Sequence, residues 1–329
     1  MNTIAVKQYP FFSLKFVKAY IITMRPYLMF VSGITGIVGI SFSTEIELTK
    51  ALLIFLASFL SYGFGQALTD CFQIDTDSLS SPYRPLTQGI VNRNHFLIIS
   101  CVGLLFCISI LTYFNPLNLL LGALAGFGII TYTYYKRKWW AGPFYNAWIL
   151  VVLFLMGYLA GTVKIYFDFR NPIFNVAIVT VFFGYANFVL TGYFKDVDAD
   201  RETNYNTLPV VYGRNISAIV SDVFCLIASA SVLILVFSLS FDSFPNQNIL
   251  RALFFIYGGI GAAVLTQVNL HSVKADKEAH KAIEPCVHCH ILLLSGLIIL
   301  NQPDWLIPII SFYLLYIITM KVRPAKEQI

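Results

Sequence analysis

Ten apolar runs partition the chain, near residues 26–43, 50–68, 95–113, 117–135, 145–163, 172–193, 216–239, 248–268, 287–301 and 305–320. Crossing the hydrocarbon layer of a bilayer takes about 20 mainly apolar residues, with a range of roughly 17 to 25, so the runs predict an all-α, multi-pass integral membrane bundle. The ninth run is short and is interrupted by Gln302, Pro303 and Asp304, which predicts a re-entrant or kinked piece there and a total of nine or ten transmembrane helices. Composition points the same way. Charged residues make up 12% of the chain, against roughly a quarter for a soluble domain. Mean hydropathy of +0.72 describes a surface that faces lipid. An ordinary water-soluble enzyme is excluded.

The formal charge of +5 does not indicate a nucleic-acid partner, because the basic residues lie in short clusters between the runs and form no stripe interleaved with stacking aromatics. Membrane topology accounts for them. The N-terminal segment, the loops after runs two, four, six and eight, and the C-terminal tail hold 18 of the 22 Lys and Arg. By the positive-inside rule both termini and these loops are expected to be cytoplasmic. The first 25 residues lack the order of a cleaved signal and are kept in the mature protein. No composition break marks a second domain, so residues 1–329 are expected to form one integral-membrane unit with a short N-terminal segment, 1–24, and a tail, 321–329. Cys71, Cys101, Cys107 and Cys225 stand apart in or beside apolar stretches and suggest no disulfide scaffold. Cys286-Val-His-Cys289-His290 spells a c-type haem signature. That attachment occurs outside the cytoplasm, on the wrong side for this segment, and such contiguous ligands do not readily enclose a tetrahedral Zn²⁺.

Seven of the 17 acidic residues fall in two short segments that follow runs two and six. If the second span continues helically, Asp70, Gln73 and Asp77 project from one face at i, i+3 and i+7, with Asp75 elsewhere. In the second segment Asp196 and Asp200 form an i, i+4 pair flanked by Lys195 and Arg201. Either segment alone reads as a solvated loop with surface ion pairs worth about 0 to 1 kcal/mol. Their repetition on one membrane side favours a shared cluster. Crowded carboxylates persist only with cations among them, and Mg²⁺ is usually held by one or two carboxylates, water and substrate phosphate.

At these residues the sequence resembles the UbiA-type family of intramembrane prenyltransferases. Thr69 to Leu86 aligns with the family's first aspartate motif and its Pro-x-Arg-Pro-Leu tail, matched at Asp70, Asp77, Pro82, Arg84, Pro85 and Leu86. Thr69 stands where the family usually has Asn, and Gln73 where it has the middle Asp. The second motif is matched by Asp196, Asp200, Thr207, Leu208 and Pro209. Met24-Arg25-Pro26 and the stretch from Tyr132 to Asn146, with Lys136, Arg137, Lys138 and Gly142, also agree, so the likeness runs over roughly residues 20 to 270.

The resemblance implies a central cavity in which a prenyl diphosphate is bridged to the two acidic faces by Mg²⁺ and its prenyl group passes to an aromatic or lipid-like acceptor. Asp70, Asp77, Asp196 and Asp200 are then the catalytic, metal-facing carboxylates, with Asp75 in reserve. Arg84, Lys136, Lys195 and Arg201 are expected to contact diphosphate, and Arg25 a polar acceptor group. Tyr132, Tyr134, Tyr135, Tyr185 and Tyr193 are candidates for the wall that shields an allylic cation. Two other readings remain: a terpene cyclase on the same fold, and a cation transporter with the acidic loops as its vestibule.

Overall fold

The computed structural model describes residues 7–242 and 247–323. Residues 1–6 of the N-terminal segment and 324–329 of the tail lie outside them. The described elements are helical: α1 Leu14–Met24, α2 Met29–Ile40, α3 Leu48–Asp70, α4 Ile74–Ser80, α5 Arg93–Phe114, α6 Asn118–Lys138, α7 Gly142–Thr162, α8 Pro172–Tyr193, α9 Val197–Glu202, α10 Leu208–Asp242, α11 Gln247–Ser272, α12 His280–Asn301 and α13 Leu306–Lys321. Each of the ten apolar runs falls on one helix. Eight of the described helices are long and apolar enough to cross a membrane, and α1 with α2 makes a ninth, bent by 62° at the break between them. The fourth run, on α6, has the length of a span but ends in Lys136, Arg137 and Lys138.

Helix starts follow local chemistry. Asn171 accepts hydrogen bonds from the backbone N–H of Ile173 and Phe174 with Pro172 at the first helical position of α8. At the α1–α2 break Arg25 takes the left-handed conformation (φ 52°), ending α1 and turning its own side chain inward. Outward faces carry Leu120, Phe127 and Phe254 in exposed positions, as lipid contact requires.

The expectation of a re-entrant ninth segment is corrected. The α12 helix runs unbroken for 22 residues, and 83% of its most apolar window is buried, making it the central strut of the second half. The polar residues from His280 to Glu284 hid its first turns from an apolar-run reading. Cys286, Cys289 and His290 sit on its buried side, with the His290 ring against Gly184 of α8.

The α2 and α7 helices meet backbone to backbone through glycines. A Cβ on Gly39 would lie 2.6 Å from the Phe154 carbonyl oxygen and the Tyr158 nitrogen, and one on Gly157 would lie 2.9 Å from the Gly36 oxygen. Without a hydrophobic driving force between helices in lipid, such close approach supplies the packing energy. Gly39→Leu or Gly157→Leu is therefore expected to destabilise the protein by about 1–3 kcal/mol or more, read as a lowered melting temperature in detergent. Gly261→Ala, where a Cβ would meet nothing within 4 Å, is expected to leave it unchanged or slightly raised.

Candidate active site

The two acidic segments do not continue their preceding helices. The α3 helix ends at Asp70 and the chain breaks before α4, just as α8 ends at Tyr193 and breaks before α9. The breaks are local copies of one another. Gln73 caps α4 at φ −117°, ψ 19°, and Asp196 caps α9 at φ −117°, ψ 13°. Gln73 and Asp77 are thus the counterparts of Asp196 and Asp200, each pair four residues apart.

The helix-stub pairs lock together. Thr76 of α4 donates to Asp200 Oδ1 (3.1 Å) and Thr207 donates to Oδ2 (3.3 Å). Outside this knot, Arg137 bonds Asp75 (2.7 Å) and the Tyr205 hydroxyl (2.8 Å), which itself donates to Asp75 (3.2 Å). The acidic tips therefore converge.

Inside the knot lies a cavity lined by α2, α3, α5, α6, α7 and α8, with about 1530 Å³ of empty space including its mouth. Its polar end carries Arg25, Asp70, Gln73, Asp77, Arg84, Lys136, Lys195 and Asp196. Arg84 is in ionic contact with Asp77 and lies 3.7 Å from Asp70. Arg25 donates to both Asp70 oxygens (3.1 and 3.0 Å) and Gln66 to one of them (2.7 Å). Lys136, 4% exposed, donates to Gln73 Oε1 (3.2 Å) and stands 3.6 Å from Asp200. Lys195 donates to the Tyr83 hydroxyl (3.4 Å).

Burial dominates the electrostatics here. It pushes the Asp77 carboxyl up to about 6 even against Arg84, and Asp200 up to about 6 even against Lys136. Burial acts on Asp196 in the same sense, but Lys136, Lys195 and Arg84 together hold it below the usual carboxylate value. Burial, reinforced by Arg84, draws Lys195 down to about 7.

Four expected residues face elsewhere. Asp75 is bound in the Arg137 clasp and 41% exposed. Arg201 is exposed and pairs with Asp198 (3.3 Å). Tyr134 is exposed beneath Lys138, whose ammonium donates to its hydroxyl (3.1 Å), and Tyr135 is also exposed. On a helix, residues 134 and 135 lie away from the stripe that carries 132 and 136. Tyr132, Tyr185 and Tyr193 do line the cavity, and Tyr132 and Tyr193 share a hydroxyl contact of 2.8 Å. Asp200 sits one layer behind the cavity wall, where both its oxygens are occupied. Gln66, Thr76 and Tyr205 were not foreseen as parts of the site. Only the i, i+4 spacing of Gln66 and Asp70 was available as a signal.

The donor set fits a hard divalent cation. Asp70, Asp77 and Asp196 present carboxylate oxygens to one cavity, and Oδ1 of Asp196 is buried with no hydrogen-bond partner. Among the described residues no three His, Cys, Asp or Glu side chains converge closely enough to hold an ion alone. That is the usual situation for Mg²⁺, which completes its shell with water and substrate phosphate.

The family model for UbiA prenyltransferases matches residues 29–284. The chain belongs to the UbiA prenyltransferase family. Among curated proteins it is similar to the digeranylgeranylglyceryl phosphate synthases of Methanocaldococcus jannaschii, 26% identical over 60% of this chain and 68% of that protein, and of Thermococcus sibiricus, 27% identical over 63% and 73%. Among solved structures, the UbiA homologue from Aeropyrum pernix K1 aligns with a TM-score of 0.67 at 17% identity, over 82% of this chain and 96% of that one. A UbiA homologue from Archaeoglobus fulgidus bound to GPP and Mg²⁺ aligns with a TM-score of 0.60 at 15% identity, over 84% and 99%. The UbiA fold thus accounts for the helix order, and the two acidic breaks of this chain stand at the polar end of its cavity.

Arg84 is central to this arrangement. Breaking a buried ion pair by removing one partner costs about 3–5 kcal/mol, so Arg84→Met is expected to lower the melting temperature of the ligand-free protein sharply. Adding Asp77→Asn to it is expected to restore part of the loss. Additive losses in the double variant would refute the pairing.

Proposed function

We propose that this chain transfers a prenyl group from a prenyl diphosphate to a lipid acceptor bearing a glyceryl phosphate, with Mg²⁺ bound between Asp70, Asp77 and Asp196. The observation that carries this reading is the meeting of the two acidic breaks around Arg84 and Lys136 at the polar end of a cavity lined mainly by apolar and aromatic side chains. The acceptor class is supported by the names of the curated relatives, several of which are digeranylgeranylglyceryl phosphate synthases.

Mg²⁺, when bound, neutralises the leaving diphosphate. Arg84, Lys136 and Lys195 hold phosphate oxygens and stabilise the charge that develops as the allylic C–O bond breaks, the diphosphate leaving with the electron pair. Tyr132, Tyr185 and Tyr193 turn ring faces and edges to the allylic cation and keep water away from it. Arg25, in the recess it shares with Thr23, Tyr27 and Tyr83, orients the acceptor headgroup. The acceptor hydroxyl oxygen forms the new C–O bond and its proton passes to the released diphosphate. Asp200 positions Lys136 and ties α4 to α9. The same reading puts both termini and the site on the cytoplasmic face, supported by the 18 of 22 Lys and Arg in the segments at that end.

Turnover is tested with purified protein, a prenyl diphosphate, Mg²⁺ and a glyceryl phosphate ether lipid, with mass spectrometry of the product. Asp70→Asn and Asp196→Asn are each expected to lower kcat by about 10²–10³ or more, and a chelator to abolish activity. Asp75→Asn and Arg201→Ala are expected to stay within a few-fold of the unmodified protein. A cyclic hydrocarbon formed without any acceptor would establish the cyclase reading instead, and uptake of divalent cation into vesicles, undiminished by Asp196→Ala, the transporter reading.

A further inference from the structure

The outer end of α9 is held by a segment that neither acidic motif includes. A helix leaves its first N–H groups without partners of its own, and here one partner comes from far along the chain. The backbone N–H of Asp198, in the first turn of α9, donates to Asp276 Oδ2 (2.9 Å), a carboxylate 78 residues on in the connection between α11 and α12. The other oxygen of Asp276 is in ionic contact with Arg214 of α10, whose Nη2 also stands 3.8 Å from Asp198 Oδ1. One carboxylate thus ties α9 to α10. At 23% and 21% side-chain exposure, Arg214 and Asp276 are more enclosed than Arg201 and Asp198, at 59% and 68%, and exposed pairs of the latter kind contribute little.

Both members of the tie are set in place without help from α9. The Glu278 carboxylate accepts from the backbone N–H groups of Lys274 (2.9 Å) and Ala275 (3.2 Å), and the Glu278 N–H donates back to the Ala275 carbonyl (3.0 Å). Val273 and Ala279, on either side, are buried. Asp276 therefore sits on a braced turn. Opposite it, Gly213 interrupts α10 at φ 82°, ψ 164°, a backbone conformation open essentially to glycine alone, and Arg214 follows directly.

The inner end of α9 is fixed separately, through Asp200 and its bonds from Thr76 and Thr207. Between the two attachments stands Asp196, two residues before Asp198, with Oδ1 buried and without a hydrogen-bond partner. We propose that Asp276, held by Arg214, is a positioning residue for the metal-facing carboxylate of Asp196: it fixes the first turn of α9 and so the direction in which that carboxylate points. The inference rests on the metal-bridged diphosphate reading of the site. Without Asp276 the segment is anchored on its Asp200 side alone, and ordering of Asp196 is left to the arriving ion. The cost then falls on metal affinity.

The test counts Mn²⁺ bound to the full-length protein in nanodiscs by electron paramagnetic resonance, in the presence of geranyl S-thiolodiphosphate, an analogue whose allylic C–S bond resists ionisation. Asp276→Ala is expected to raise the half-saturating Mn²⁺ concentration by about tenfold or more, as loss of a group that orients a metal ligand does. Asp276→Asn, which keeps an oxygen for the Asp198 N–H but loses the charge facing Arg214, and Arg214→Gln are each expected to raise it less. Their combination should do little more than the worse of the two, because partners in one unit are not additive. Asp222→Asn, which breaks the exposed pair of Asp222 with His271 (2.8 Å) between α10 and α11, is the control and is expected to leave metal binding unchanged. A merely structural role would lower the melting temperature of the Asp276 and Arg214 variants without moving half-saturation beyond the control, and that result overturns the proposal. If Asp276→Ala does not fold, Asp276→Asn and Arg214→Gln decide by the same comparison. Failure of the unmodified protein to bind Mn²⁺ with the analogue would instead defeat the metal reading of the site.

Discussion

Burying four carboxylates at the ends of membrane helices is possible only because cations are buried with them. A carboxylate removed from water loses several kcal/mol of solvation that only close, well-bonded partners repay. Arg84 between Asp70 and Asp77, Arg25 across Asp70, and Lys136 beside Asp200 supply those partners. The surrounding architecture follows from the need to bring them together. The α3 and α8 helices end where they do, the chain turns back through α4 and α9, and α6 extends past its apolar portion so that Lys136 reaches inward. The mouth is held in a charged, preorganised state before any ligand arrives, and electrostatic stabilisation of a developing charge depends on such preorganisation.

The two breaks share one local geometry but not one composition. The position occupied by Asp196 after α8 is occupied by Gln73 after α3, and the Gln73 amide is engaged with Thr133 (3.2 Å) and Lys136 (3.2 Å). A neutral amide at that point removes one negative charge from the α3 side. Lys136 is shared between an amide oxygen on one side and a carboxylate on the other, so the positive charge is weighted toward Asp200 and Asp196. At this position the two acidic segments differ by a single side chain, Gln73 against Asp196.

Away from the mouth the same helices change character. Glycines let α2 and α7 approach at their backbones, and the buried Asn115 and Asn118 tie α5, α6 and α7 together. The side-chain amide groups of Asn115 and Asn118 in the lipid-embedded part donate to main-chain carbonyls, since an unsatisfied amide in hydrocarbon costs several kcal/mol. One cavity therefore has a charged end and an apolar end, and the tyrosines at 132, 185 and 193 are part of its lining.

The order of helices, the membrane class and the two acidic clusters were legible in the chain because apolar run length and charge position are local properties. A run of about 20 apolar residues has few alternatives in lipid. Which acidic residues face the cavity was not local. The break at Cys71–Gln73 removes the helical phase that an i, i+3, i+7 reading assumes, and so Asp77 reaches Arg84 while Asp75 is claimed by Arg137. Tyr132 and Tyr134 are two residues apart with the same side chain, yet the packing of α6 against α7 turns the first inward and the second out. The polar first turns of α12 concealed its full length for a similar reason: the helix is held by packing on α11, α8 and α2, which no run in that segment reveals. Sequence alone determined what each segment was made to do, to span or to carry charge. Tertiary structure decided which charges share a site, because helix rotation and loop closure are set by contacts between segments far apart in the chain.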